Sequence, residues 1–329
     1  MPELAEHLSP GEVADLTTFL LSMREPPLLS ASPSTTASTG RTASGFTVDE
    51  RKDRLAISLD GRPIVDFIFR DEKILRPFFA NARLIDGRQV TRTHPPVPGV
   101  DSLDHDTMHP GIWLGFGDIS QQDYWRNKAS MEHVRFVSPP KAEQDRVRFA
   151  TECRLRTAGG EPLGGVTHEF TVAARPTGWL LVWRAAFRAE QRPLVFGDQE
   201  EMGFGARVAT PFIEKNGGVV RSSAGKTTAK NTWGQAARWC DYSGSGPQSG
   251  GIMLMASPGN FRESWWHNRD YGVFVANPFG RSAMKQGDRS AVAVAPGETF
   301  RIAFGALVHD HRAVVADAEY AAFQQLVSE

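Results

Sequence analysis

The chain has 329 residues, room for one large or two ordinary domains, and its charges nearly cancel, with 37 Lys and Arg against 38 Asp and Glu. That balance excludes a general binder of nucleic acid or anionic membranes, which carries a basic excess. No run nears the roughly 18 apolar residues of a spanning helix, so no membrane insertion is expected.

In chain order, the first element is a helix. Ser9 is placed as its N-cap, Pro10 at its first position, Glu12 closes a capping box and Leu8 acts as a staple. Val13, Leu16, Phe19 and Leu20 give the apolar stripe. The segment MPELAEHLSPGEVADLTTFLLSM resembles the C-terminal end of a c-type cytochrome domain, which implies a remnant of, or fusion to, a cytochrome-type partner. The haem-attaching CxxCH is absent, so no haem is expected in this chain. A plain amphipathic helix over residues 1–24 fits equally well. No signal peptide is visible, so the chain reads as cytoplasmic, or as periplasmic if its N-terminus is truncated. Residues 25–45 are rich in Ser, Thr, Ala and Pro without aromatics and read as a linker.

From residue 46 to 329 the pattern is of short strands. The 31 Gly, 21 Pro, 20 Phe and 8 Trp favour such strands over long helices. Alternation on both sides of Asp60-Gly61 marks a hairpin. RVRFATECRLRTAGGEPLGGVTHEFTVAARPTGWLLVWRAAFRA alternates between Gly-Gly and Pro-Thr-Gly turns, and RIAFGALVHD ends the series. Val314, Ala318, Phe323, Leu326 and Val327 have helical spacing. The expected fold is mainly β: a large antiparallel β-sandwich with long functional loops and short N- and C-terminal helices. Cys153 and Cys240 lack motif spacing and read as two buried thiols.

Three segments break the strand pattern. Residues 94–125 hold His94, His105 and His109 among several Asp, a loop able to offer imidazoles to a metal or a proton transfer. Glu200 and Glu201 form an acidic pair followed by Gly203, Gly205 and Arg207, without a GxGxxG fingerprint. Residues 231–244 and 260–280 contain Trp233, Trp239, Trp265 and Trp266 beside Asp241, Tyr242, His267, Arg269, Asp270, Tyr271 and Asn277. Flat aromatic faces next to such polar groups suit a sugar ring and its hydroxyls. GxSxG, Walker A, HExxH and EF-hand motifs are all missing, which leaves serine hydrolysis, nucleotide hydrolysis and zinc proteolysis without support.

These segments read DHDTMHPGIWLGFGDISQQDYW, FGDQEEMGFGARV, TWGQAARWCDYSG and WHNRDYGVFVANPFG. Together, over about residues 47–311, they resemble the PmoA-like family, named after methane oxygenase. The first motif carries two of that family's three histidines, and Glu200 stands where the family has Lys, so neither a three-histidine metal site nor a catalytic lysine carries over. Methane oxidation is not expected of a chain without a spanning segment. The resemblance implies a saccharide-degrading setting.

The expectation is a carbohydrate-active protein, a hydrolase or lyase acting on a sugar or modified glycoside. His105, His109, Glu201, His267 and Asp270 are the candidate acids, bases or ligands. Arg207, Trp233, Asp241, Tyr242, Trp266, Arg269, Tyr271 and Asn277 are the candidate substrate-binding set. A divalent metal would rest on His105 and His109 with one of Glu201, His267 or Asp270. A non-catalytic glycan-binding module and a redox domain attached to a cytochrome are the alternatives.

Overall fold

The computed structural model of the chain describes residues 45–244, 246, 249–310 and 314–329. The expected N-terminal helix, its cytochrome-like resemblance and nearly all of the linker over 25–45 lie outside the described residues.

Within them the strands form two eight-stranded antiparallel sheets and a two-stranded ribbon. The first sheet runs β1 (Phe46–Glu50), β2 (Arg54–Leu59), β3 (Arg62–Ile68), β4 (Phe78–Ala80), β5 (Ile112–Phe116), β11 (Met202–Arg207), β16 (Val273–Asn277), β15 (Trp265–Trp266). The second runs β12 (Val219–Ser222), β13 (Trp239–Gly244), β14 (Gly250–Ala256), β18 (Thr299–His309), β9 (Gly178–Ala189), β8 (Pro162–Arg175), β7 (Arg146–Arg156), β6 (Ser130–Ala142). The ribbon pairs β10 (Leu194–Phe196) with β17 (Val292–Val294). The β-sandwich read from the sequence is the observed architecture.

Local chemistry explains the elements. Asp60 and Gly61 join β2 to β3 with φ of 51° and 74°, the paired positive values that a two-residue hairpin requires. Along β2, Leu55, Ile57 and Leu59 are buried while Arg54, Ala56 and Ser58 are half-exposed.

The surplus of phenylalanine fills the space between the sheets. Phe67 of β3 packs on Phe149 of β7 and Phe170 of β8, with ring centroids 5.1 and 4.7 Å apart. Phe79 of β4 meets Trp183 of β9 at 5.6 Å, and Phe204 of β11 stacks on Phe304 of β18 at 5.3 Å. Cys153 and Cys240 are buried here as free thiols. Burial pushes the Cys153 thiol up to about 12.

The two outer faces are finished differently. On the second sheet the C-terminal helix, Ala316–Ser328, lays Tyr320, Phe323 and Leu326 over Leu180, Val182, Met253, Met255 and Leu307. On the first sheet loops, not a helix, cover an apolar patch of Ile68, Phe78, Trp113, Val273 and Val275. No helix among the described residues is long and apolar enough to cross a membrane.

Candidate functional site

Strand alternation decides which motif residues reach that loop-covered face. On β5, Ile112, Leu114 and Phe116 enter the core and Trp113 faces outward. On β11, Met202, Phe204 and Ala206 enter the core, so Gly203, Gly205 and Arg207 face outward. Beyond β15 the amides of His267 and Arg269 donate to the carbonyls of Val275 and Val273. This puts both side chains outward, whereas Trp266 and Asn268 turn inward and are buried.

Trp113, Gly205, Val275 and His267 thus form one row across neighbouring strands. Three strand spacings of ~4.8 Å separate the Trp113 and His267 backbones, about 14 Å.

The row is built in layers. The Trp113 indole covers Gly205 and Gly115; a Cβ at those positions would lie 2.7 and 3.2 Å from its ring carbons. His109 stacks on Trp113, with centroids 5.3 Å and planes 23° apart, and Trp125 closes the edge of the pair. Nδ1 of His109 and Nε1 of Trp113 are buried with no hydrogen-bond partner among the described residues. Burial, then the charge of Arg207, holds the His109 imidazole well below its usual range, so it is neutral near pH 7.

Two buried arginines hold the His109 loop. Arg92 donates through Nη1 to the carbonyls of Ser102 and Asp104, and through Nη2 to those of His105 and His109. Arg76 donates to the carbonyls of Tyr124, Trp125 and Met108 and to Oδ1 of Asn127. Burial lowers these guanidiniums to about 10 and about 9, which still leaves both cationic near neutrality.

Arg207 makes a bidentate pair with Asp104 at 2.9 and 3.2 Å, and its guanidinium lies 4.7 Å from the Tyr271 ring centroid. Burial raises Asp104, but hydrogen bonds from Ser102 and Arg207 outweigh it and leave the carboxyl at about 2. Glu200 lies 3.2 Å from Nδ1 of His267 and 2.8 Å from Nη2 of Arg269. His267 and then Arg269, both beside it, lower its carboxyl, so Glu200 is ionised. Glu201 pairs with Arg126 at 3.0 Å.

The expected residues therefore divide. His109, Arg207, His267, Arg269 and Tyr271 share the outer face, with exposed His105 at its rim, 5.4 Å from His109 between centroids. Trp266 is fully buried and donates to the Ala237 carbonyl, so it offers no face for stacking. Asp241 is bound by His309 and Ser243 at 2.8 and 2.7 Å. The Tyr242 hydroxyl donates to the Asp270 carbonyl and accepts from the Glu214 amide. Asn277 donates to the carbonyls of Gln199 and Glu200, positioning the latter. These four brace the fold. Trp233 and Asp270 line a neighbouring cavity that Arg269 also walls.

The three-ligand metal centre has to be corrected. Among the described residues no three His, Cys, Asp or Glu side chains are grouped to hold an ion. His105 and His109 lack a third ligand because Glu201 is taken by Arg126 and His267 by Glu200. Reading residues alone missed Arg76 and Arg92, and favoured Glu201 over its neighbour Glu200.

A family profile matches residues 54–322. The chain belongs to the family of unknown function DUF6807. That membership overturns the PmoA-like assignment: the quoted motifs all lie within the residues that match DUF6807. No curated protein matches this DUF6807 chain.

Several solved structures are similar to it. A galactose mutarotase-like protein from Lactobacillus casei is 9% identical with a TM-score of 0.38, covering 80% of this chain and 100% of that one. A galactose 1-epimerase from Lactobacillus acidophilus is 8% identical with a TM-score of 0.37, over 80% and 98% of the two chains. A TPR-domain containing protein from Parabacteroides distasonis is 12% identical with a TM-score of 0.43, over 80% and 48%. At such similarity these structures carry no reading of the site.

Proposed function

We propose that the chain is a carbohydrate-active enzyme, and that its chemistry is that of a lyase acting on a sugar acid within a glycoside. The observation that carries this is the geometry of the outer face: a buried His109 stacked on Trp113, beside two carboxylates, Asp104 and Glu200, that are each tied to an arginine. Hydrolysis of a glycosidic bond calls for a carboxylic acid kept protonated, with a raised pKa. Asp104 and Glu200 are shifted the opposite way, and each is tied to an arginine. An unprotonated imidazole has a free nitrogen lone pair to accept a proton, as abstraction beside a carboxylate requires.

In this reading His109 removes the proton α to the substrate carboxylate, and the C–H electron pair passes into an enolate. Arg269, only partly engaged with Glu200 and with its side chain 36% exposed, pairs with the carboxylate as charge builds. Collapse of the enolate forms a C=C bond and breaks the C–O bond to the leaving sugar. His267, whose Nδ1 lies 3.2 Å from Glu200, is the general acid that gives a proton to that departing oxygen.

The test is incubation with oligomers of galacturonate, glucuronate and mannuronate, following the ultraviolet absorbance of the new conjugated double bond. Turnover should fall roughly 10²–10⁴-fold in His109→Gln and in His267→Gln, the usual scale for losing a general acid or base. Full activity in His109→Gln would end the lyase reading. Tight binding without turnover of any oligomer would make the chain a glycan-binding module.

A further inference from the structure

Beside the row of Trp113, Gly205, Val275 and His267 lies a cavity of about 480 Å³, lined by Glu214, Lys230, Trp233, Asn268, Arg269 and Asp270. It touches the proposed active face through one shared residue, since Arg269 walls the cavity and also bonds Glu200. Its size falls in the range that takes a compact organic ligand, ~300–1,000 Å³.

Its wall carries polar capacity that the protein leaves unused. Asn268 is 2% exposed, and its Nδ2 donates to Oγ1 of Thr232 at 2.7 Å. Its Oδ1 has no partner among the described residues, nor has the buried Nε1 of Trp233. Most buried polar atoms are hydrogen-bonded, so an orphan acceptor and an orphan donor in one wall mark a place where something else binds. A hydroxyl suits either atom, because it can donate to the one or accept from the other.

The other groups narrow the ligand further. Lys285 holds its ammonium 5.6 Å from the ring centroid of Trp233, whose side chain lines the cavity. Glu214 accepts from the Ala229 amide at 3.0 Å, and Asp270 is exposed at the mouth. Carboxylates accept well from hydroxyls, and Lys230 and Arg269 in the same lining balance their charge, so the fitting ligand is a hydroxyl-rich face presented by a ring.

We infer that this cavity is a second sugar subsite, continuous with the active face at Arg269, and that the enzyme's substrate is therefore an oligosaccharide spanning both. The inference rests on the carbohydrate reading above and adds the length of the substrate. Arg269 sits at the junction, where one guanidinium can hold a carboxylate of the unit in the active face while the next unit lies against Trp233.

Calorimetry in the His109→Gln background, where cleavage is slowed, tests it with galacturonate, glucuronate and mannuronate and their dimers. At least one dimer should bind about tenfold more tightly than its monomer, a gain of roughly 1.4 kcal/mol. Trp233→Ala should bring that dimer-to-monomer ratio to about one. Asp270→Asn, a change at an exposed position, should also reduce the ratio and serves if Trp233→Ala does not fold. If monomers bind but dimers bind no better, or if neither substitution moves the ratio, the subsite is wrong while the active face stands. If no uronate of either length binds, both readings fall together.

Discussion

The imidazole of His109 rests on the indole of Trp113, and that indole rests on the bare backbone of Gly205. The placement of the candidate base is therefore set by the absence of a side chain on a different strand. A Cβ at residue 205 would stand 2.7 Å from Cζ2 and 2.9 Å from Cε2 of Trp113, closer than packed carbons approach.

Gly205→Ala should accordingly push Trp113 outward and carry His109 with it. The expected loss of stability is about 1–3 kcal/mol, the usual cost of overpacking, measured by urea unfolding. Turnover or ligand affinity should fall in the same variant. Gly165→Ala is the control, because its nearest atoms would be 3.8 Å away. Equal behaviour of the two variants would show that the stack does not depend on the glycine.

Acid should destabilise the protein well above the range in which Asp104 titrates. His168 is fully buried between Sδ of Met131 and Nε1 of Trp183, and burial lowers its imidazole to about 3. His133, packed against Phe69 and Phe136, is lowered by burial to about 4. In the unfolded chain both would titrate near ~6.5. Between those values the unfolded state binds more protons, so stability is full above pH ~6.5 and falls as pH drops, by up to roughly 1.4 kcal/mol per pH unit for each group. Asp104, at about 2, loses its contribution only below its unfolded pKa of ~3.9, outside this window. Urea midpoints taken from neutrality down to pH ~4.5 read the slope, and His168→Gln should flatten it. A constant midpoint across that range would contradict the assignment.

Arg92 is the strut of the His109 loop. Arg92→Ala leaves the carbonyls of Ser102, Asp104, His105 and His109 without their donor and should cost about 3 kcal/mol. Amide hydrogen exchange over residues 102–109 should quicken. Arg92→Lys should restore little, since a single ammonium cannot reproduce the fork that reaches two pairs of carbonyls. Unchanged exchange in that loop would remove Arg92 from the account of the site.

Much of the fold was legible because its signals are local. The Asp60-Gly61 turn, the alternation of β2 and the three-and-four spacing of Phe323, Leu326 and Val327 each concern residues within one turn or one strand pair. The same holds for the three polar segments: His109, Arg207 and His267 were singled out by composition and do share a face. Which neighbour in a motif serves the site was not legible. Trp266 and His267 differ only in strand parity, and WWHNRDY shows no alternation because the residues on both sides are largely buried.

The sequence alone determined that this is a mainly β chain, where its hairpins turn, and which loops concentrate histidine, acid and tryptophan. Only the tertiary structure decided that His109 is buried against Trp113 and held neutral, that Glu200 rather than Glu201 lies beside His267, and that Asp241 and Asn277 are tied up in hydrogen bonds. The physical reason is range. Arg76 reaches Met108 across 32 residues and Arg207 reaches Asp104 across 103, so burial and charge pairing arise between segments that no local pattern connects.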